Sequence, residues 1–421
     1  MLYETNWKFQ KHFFVYKCAF LIYTLFLATD FVKIKSFGVI KIILMIWGIA
    51  LLGYDIYRSK GKVIYKNILL TIFTIISAIS IINNGNFADI KLYLITLIEI
   101  FVLNNYDSEK FSRNEIKIIN FILILLTLVL TSSALILEKK GFLIGNIYLV
   151  DTFGNSLFKG FYIISTTSGM ISYLSIAITI ISLFTIKKNK KYKNIIRVMY
   201  ALNIIVQTYA AFKSGVRGAV ISIVVFCFIS IYMFIKSKKI RNAILGIIIL
   251  IVFSFPIYKP LIENNEFLNK NPGTSFLSGR VTLWEEGYEN IFKKYPMSGG
   301  APNNMILELK ESSSKELIGI DGGRIHNIYL DVLYSAGIIG SFSLFLFIII
   351  SIIKFYKGAF NYELDVDTLK WIKLIFSFLC SILILNFVES LLIYTVNLAG
   401  IMFWVYMSYG KRIINDMKLN F

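Results

Sequence analysis

Residues 328–353 read IYLDVLYSAGIIGSFSLFLFIIISII, an apolar run broken by the single charge of Asp331. As a helix this run would extend roughly 39 Å at 1.5 Å per residue, more than the roughly 30 Å of a bilayer's hydrocarbon core. A soluble domain has no interior deep enough to hide such a rod, so the run reads as a membrane span.

Runs of the same kind recur along the chain, at about 13–30, 38–56, 63–82, 87–103, 116–137, 161–186, 195–212, 218–235, 240–258, 370–388 and 391–409. The composition agrees: 57% of the 421 residues are hydrophobic and only 16% charged, against roughly 45–50% and about 25% in soluble domains. All five prolines fall between Pro256 and Pro302, so no proline breaks the runs elsewhere. The numbers exclude a soluble enzyme, a disordered chain and a disulfide scaffold. They predict an all-α integral membrane protein of about 12 transmembrane helices. The first run is too long for a cleaved signal peptide and lacks a small-residue cleavage site.

The net charge of +19 could suggest nucleic acid, but the basic residues lie in short clusters between apolar runs, as in loops flanking membrane helices. With the N-terminus inside, the inner segments carry 26 Lys and Arg residues and the short outer segments nine. Both termini are therefore expected in the cytoplasm, with no nucleic-acid partner. Cys18, Cys227 and Cys380 each sit inside an apolar run and form no CxxC pair, so they read as buried thiols. The two histidines, His12 and His326, make no cluster for a transition metal, and no cofactor is expected.

This topology divides the chain into spans 1–9 (1–258), one large extracytoplasmic loop (259–326) and spans 10–12 (327–421), all in one polytopic domain. Within the loop Val281, Trp284, Tyr288, Ile291 or Phe292, and Tyr295 recur at helical spacing. Thr282 and Glu285 have the spacing of a capping box. An amphipathic helix on the outer rim is expected there.

Four cations on the expected outer face stand out. Arg217 lies in the short turn Lys213-Ser-Gly-Val-Arg217-Gly-Ala, Arg280 follows Ser278-Gly279, and Arg324 and His326 end the long loop in Arg324-Ile-His326-Asn327. The plainer reading of each arginine is snorkelling to lipid headgroups or a surface ion pair. Adjacent glycines, however, let a backbone approach a bulky anion, and guanidinium suits bidentate phosphate contact. For His326 a hydrogen-bonded residue at a helix start and a general base are both open. The positive end of a helix dipole disfavours cations, and a general base must be neutral. Glu99 lies near the end of a marginal span, where it could reach the inner interface or act as a functional membrane acid. Asp331, one turn past His326, could orient it. Asn386, Glu389 and Asn397 cluster at the last hairpin, and Asp30 stands alone in the first outer turn. No repeat relates the two halves.

The order of four local motifs resembles the O-antigen ligase and polysaccharide polymerase superfamily of bacterial envelopes. They are Phe153-Gly-Asn155; Ser214-Gly-Val-Arg217-Gly-Ala219; Ser278-Gly-Arg280-Val-Thr-Leu-Trp284 with Pro296-Met-Ser-Gly-Gly300; and His326-Asn-Ile-Tyr-Leu330 with Gly337 and Gly340. The family's arginine turn is often Ser-Arg-Gly, so the Gly-Val insertion here leaves Arg217 and Lys213 as alternatives for meeting the substrate.

The resemblance implies a multi-pass enzyme of the bacterial cytoplasmic membrane with its site facing outside. It would transfer a glycan from undecaprenyl pyrophosphate, without a metal and with inversion at the anomeric carbon. His326 would be the general base, Arg217 and Arg280 would hold the pyrophosphate, and Arg324, Asn327, Lys213 and Asn155 would bind substrate. The expected partners are the lipid-linked oligosaccharide, the growing polysaccharide and the bilayer, with a flippase and a chain-length regulator as further candidates. A Wzy-like capsule polymerase is the preferred expectation, with ligation to a lipid or wall acceptor as the alternative. A lipid-linked oligosaccharide flippase is the third reading.

Overall fold

The computed structural model describes residues 2–33, 36–104, 112–139, 148–151, 157–186, 193–253, 280–313, 317, 320, 324–360 and 364–415. Asn155 and all of 254–279, Ser278 included, therefore lie outside the described residues. Apart from two isolated antiparallel bridges, the described residues form only helices, turns and irregular segments.

In chain order the helices are α1 (Leu2–Leu27), α2 (Ser36–Arg58), α3 (Lys62–Lys66), α4 (Ile68–Asn84) and α5 (Phe87–Leu97). They continue as α6 (Ser112–Lys139), α7 (Ser165–Phe184), α8 (Lys193–Lys213), α9 (Arg217–Phe234) and α10 (Lys238–Phe253). Next come the short α11 (Arg280–Gly287) and α12 (Asn304–Ser312), and last α13 (Ile328–Ala359), α14 (Val366–Leu385) and α15 (Leu398–Asn415). Helix occupies part of every apolar run read from the sequence, and among the described residues seven helices are long and apolar enough to cross a membrane.

In a bilayer apolar side chains gain little from leaving lipid for one another, so small residues and interhelical hydrogen bonds must do much of the joining. α7 is built this way. Its buried Ser168, Ser172, Ser175, Thr179 and Ser182 fall at helical spacing on one stripe. Thr127 of α6 meets Ser175 at 2.7 Å, and Asn203 of α8 donates to Ser175 and Thr179 at 2.9 and 2.7 Å. Gln207 reaches the Thr127 carbonyl at 3.1 Å. Asn120 extends the network to Ser182 and accepts from Tyr406 of α15 at 2.9 Å. In contrast, α2 turns Val39, Ile42, Ile43 and Ile46 outward, as a lipid-facing helix does.

Two sequence expectations are corrected at the last hairpin and at α11. The run 391–409 is not helical throughout: residues 386–397 form a buried irregular segment, and helix resumes at Leu398. Non-helical backbone at such depth survives only where side chains or neighbouring backbone satisfy it. Here Asn386 accepts from Leu391 N at 2.8 Å, Thr96 from Tyr394 N at 3.1 Å, and the Leu392 carbonyl from Trp404 at 2.8 Å. Gly400 allows the fold-back, since a Cβ there would lie 2.0 Å from the Leu391 carbonyl. In α11 Arg280 and Val281 are already helical, so Thr282 and Glu285 are interior and do not form the capping box their spacing predicts.

α11 and α12 share a small core of their own. Leu283, Ile291, Met305, Ile306 and Leu309 pack with Ile325 and Tyr334 beside the start of α13. The buried stripe of α11 runs through Leu283 and Gly287, while Val281 and Tyr288 face outward. This unit is clamped to a kink in α13. Gly337 has a φ of +66° and Gly299 one of +78°, a conformation that glycine adopts without cost. Ile338 N donates to the Pro296 carbonyl at 2.9 Å, and Gly300 N to the Tyr334 carbonyl at 2.8 Å. Ser80 of α4 closes the clamp, donating to the Gly299 and Ser335 carbonyls at 3.0 and 2.8 Å.

Candidate active site

The start of α13 is where the separate motifs meet. Asn327 is its N-cap, with Oδ1 accepting from Tyr329 N at 3.0 Å and Leu330 N at 3.2 Å. The last hairpin is fastened to the same turn: Ile328 N donates to the Asn386 and Glu389 carbonyls, and Asn327 N to Ser390 Oγ at 3.1 Å. His326 immediately precedes this cap with a φ of +53°, a left-handed conformation uncommon outside glycine, asparagine, aspartate and histidine.

Arg280 and Trp284 lie one helical turn apart on α11 and grip the histidine from two sides. Trp284 Nε1 donates to the Ile325 carbonyl at 2.8 Å. Arg280 donates through Nη1 to the Val388 carbonyl and through Nη2 to Glu389 Oε1 at 3.2 Å. The other oxygen of that carboxylate, Oε2, is 3.2 Å from His326 Nδ1. One carboxylate therefore joins the arginine to the histidine. An ionised carboxylate can only accept, so this contact places the ring proton on Nδ1. In the neutral ring the lone pair is then on Nε2, where a general base needs it.

Arg280 and Glu389 also line an open cleft of about 280 Å³ together with Arg217, Ser165, Thr166 and Ser214. Its wall contains the starts of α7 and α9; at the first, Asp151 Oδ2 already accepts from Ser165 N at 2.9 Å, whereas at the second Val216 supplies no side-chain cap. Helix starts carry partial positive charge on their terminal N–H groups. With two guanidiniums beside them, the cleft is suited to a polyanion. The α8–α9 turn is shaped by Gly215, at a φ of +65°, and it packs against Gly169 of α7, where a Cβ would lie 2.7 Å from Val216. The Gly-Val insertion thus makes the turn that carries Arg217 to the cleft.

Lys213, at the end of α8, is turned elsewhere: it pairs with Glu138 and lies near the Phe158 and Tyr209 rings. Arg324 does not line the cleft; it lies 3.4 Å from Asp331 and over the Tyr394 ring at 5.8 Å. Asp331, weighed from spacing as the residue orienting His326, is bonded to Arg324, and the carboxylate against the ring is Glu389. Asp30 does not stand alone. It is buried against Lys159 at 2.6 Å. Glu99 does not reach an interface: it is fully buried in the π-helical turn Ile98–Leu103 that follows α5.

Residues 202–348 match the protein family described as O-antigen ligase. The match supports the resemblance to the O-antigen ligase and polymerase superfamily over that stretch of the chain. No curated protein matches the chain. The family match begins in α8 and ends in α13, and so takes in Arg217, Arg280, Arg324, His326 and Asn327. Glu389 lies beyond it. Sequence reasoning placed Glu389 in a polar hairpin cluster but had no signal for its role, because its two partners are 63 and 109 positions away.

Proposed function

We propose that this protein is a member of the O-antigen ligase and polymerase superfamily and acts as a polysaccharide polymerase of the bacterial cytoplasmic membrane, with its cleft facing outside. It joins oligosaccharide repeats carried on undecaprenyl pyrophosphate. The observation that carries the reading is the Arg280–Glu389–His326 relay at the edge of a cleft that also holds Arg217.

In the reaction the acceptor sugar's hydroxyl oxygen bonds to the anomeric carbon of the donor. The bond from that carbon to the pyrophosphate oxygen breaks, and its electron pair leaves with the lipid pyrophosphate. The hydroxyl proton passes to His326 Nε2, and Glu389 stabilises the imidazolium. Arg217 and Arg280 neutralise the charge that grows on the leaving group, the electrostatic contribution most useful for a group already prone to depart. A guanidinium has five N–H donors, so Arg280 can hold Glu389 and still meet phosphate. A single displacement inverts the anomeric centre. Retained anomeric configuration in the product would contradict it.

Ligation to a lipid or wall acceptor is the second reading, favoured by the description of the matching family. The polymerase is preferred because the Lys-, Ile- and Asn-rich sequence suggests an AT-rich host, and in one without lipopolysaccharide the glycan of choice is a capsule. Deletion followed by envelope-glycan analysis separates the two. A single repeat left on its carrier is the polymerase result, and full-length unattached polymer is the ligase result. Carrier-linked repeats retained on the inner leaflet would instead indicate a flippase.

A further inference from the structure

The glycosyl-transfer reading uses one end of the bundle, and the other end carries a second cleft, of about 200 Å³, between α4, α13 and α15. Lys354 and Lys411 both line it, with Asn67 at its edge and Phe347, Ile350 and Ile414 among its apolar walls. Lys354 is 17 residues beyond the kink at Gly337 in α13, roughly 26 Å along a helix, which carries it away from His326 toward the opposite end of the bundle.

The charge in this cleft is not balanced by protein. Lys411 is half-buried, with Nζ 3.7 Å from the centroid of the Phe347 ring, and the Lys354 charge acts on it repulsively. Among the described residues neither ammonium is paired with a carboxylate. A ring face offsets part of one charge, but two like charges converging on apolar walls call for an anion between them. The surroundings indicate which anion. Ile349, Ile350 and Ile353 of α13 are exposed beside the lysines, so an apolar surface runs from the cleft along the helix. A ligand matching both features has a phosphate at one end and hydrocarbon chains at the other.

We propose that the Lys354–Lys411 cleft binds the phosphate of an anionic glycerophospholipid, on the membrane face opposite the arginine cleft. The headgroup phosphate lies between the two ammoniums, and the acyl chains follow the exposed isoleucines of α13. This site does not depend on the glycosyl-transfer reading, because it shares no residue with that cleft.

The test is native mass spectrometry of the delipidated full-length protein in detergent, titrated with phosphatidylglycerol, with phosphatidylcholine of the same acyl chains, or with inorganic phosphate. Wild-type protein should bind phosphatidylglycerol in preference to phosphatidylcholine. Lys354→Ala should weaken phosphatidylglycerol binding about fivefold, and the Lys354→Ala, Lys411→Ala double variant about 30-fold. Phosphatidylcholine binding should not change. Equal affinity of wild type and double variant for phosphatidylglycerol would overturn the proposal. So would inorganic phosphate binding alone and displacing the lipid, since the site would then be one for a free anion. Should the double variant fail to fold, the single Lys354→Ala variant, which alters an exposed side chain, decides the matter in the same way.

Discussion

Replacing Glu389 by glutamine tests the relay at its centre, because the shape is kept and the charge lost. The carboxylate accepts from Arg280 with one oxygen and faces His326 Nδ1 with the other, each at 3.2 Å. An amide offers one acceptor and one donor. If its oxygen faces the arginine, its NH2 faces Nδ1, which must then accept; the ring proton moves to Nε2 and blocks the base. If its oxygen faces Nδ1, its NH2 meets the guanidinium donor to donor. No orientation preserves both contacts.

A positioned general base contributes typically about 10²- to 10⁴-fold, or roughly 3–5 kcal/mol of barrier. Glu389→Gln is expected to lower kcat by about that factor with little change in KM for the donor, since the cleft arginines remain. The stability cost should be only about 1 kcal/mol, because Arg280 and His326 keep about a quarter of their side-chain surface exposed to solvent and solvent screens such pairs. The assay is glycan elongation by purified protein in nanodiscs, with lipid-linked donor and acceptor, beside a thermal unfolding curve. Glu389→Asp, which keeps the charge, should recover part of the rate. A folded Glu389→Gln variant within about threefold of the wild-type kcat, less than 1 kcal/mol of barrier, would refute the relay.

His326→Asn should leave the unfolding temperature nearly unchanged, because asparagine also tolerates the left-handed backbone at this position; elongation should fall at least about 100-fold, read as product length in the same assay. Arg217→Ala should cost about 10²-fold in elongation, whereas Lys213→Ala, which loses a partly exposed pair with Glu138, should stay within about threefold. Equal losses in the two variants would return Lys213 to the site. Gly337→Ala places a Cβ 2.2 Å from the Met297 carbonyl at a φ of +66°, so it should destabilise the protein by about 3 kcal/mol or more. Limited proteolysis should then cut first within 280–313, and an unchanged digestion pattern would contradict the clamp.

The sequence made the helical membrane architecture legible wherever hydropathy alone determines structure. The run at 328–353 is helix on both sides of a kink at Gly337, within Ile328–Ala359; hydropathy reveals the helix and not the kink. It failed at 391–397, where apolar residues take an irregular path. Hydropathy reports that Leu391, Leu392 and Ile393 are buried, but it carries no information about which side chains take up their backbone groups. Asn386 and Trp404 are near in sequence, 5 and 12 positions from the groups they meet, but Thr96 lies 298 positions from Tyr394. The periodicity of α11 was likewise visible in sequence, while its buried face was misassigned at Val281, because the surface it packs against is the start of α13.

The site divides along the same line. Arg217, Arg280 and His326 could be put forward from sequence because an arginine beside glycine and a lone histidine at a helix start are local chemical signals. Which cation serves the cleft was not local, since Lys213 and Arg217 sit four residues apart and only Glu138, 75 positions from Lys213, separates their roles. Glu389 was harder still: an acid in a polar hairpin resembles any turn residue until Arg280 and His326 are brought to its two oxygens. That convergence also explains why the histidine sits just outside the cap and not within α13. Residues inside a helix have their backbone fixed by the ladder, whereas His326 is held by its neighbours, Trp284 at Ile325 and Ser390 at Asn327. The proposed base, held in this way, would change position when α11 or the last hairpin moves. On that proposal, elements far from the cleft in sequence control whether Nε2 and the two arginines act on one substrate.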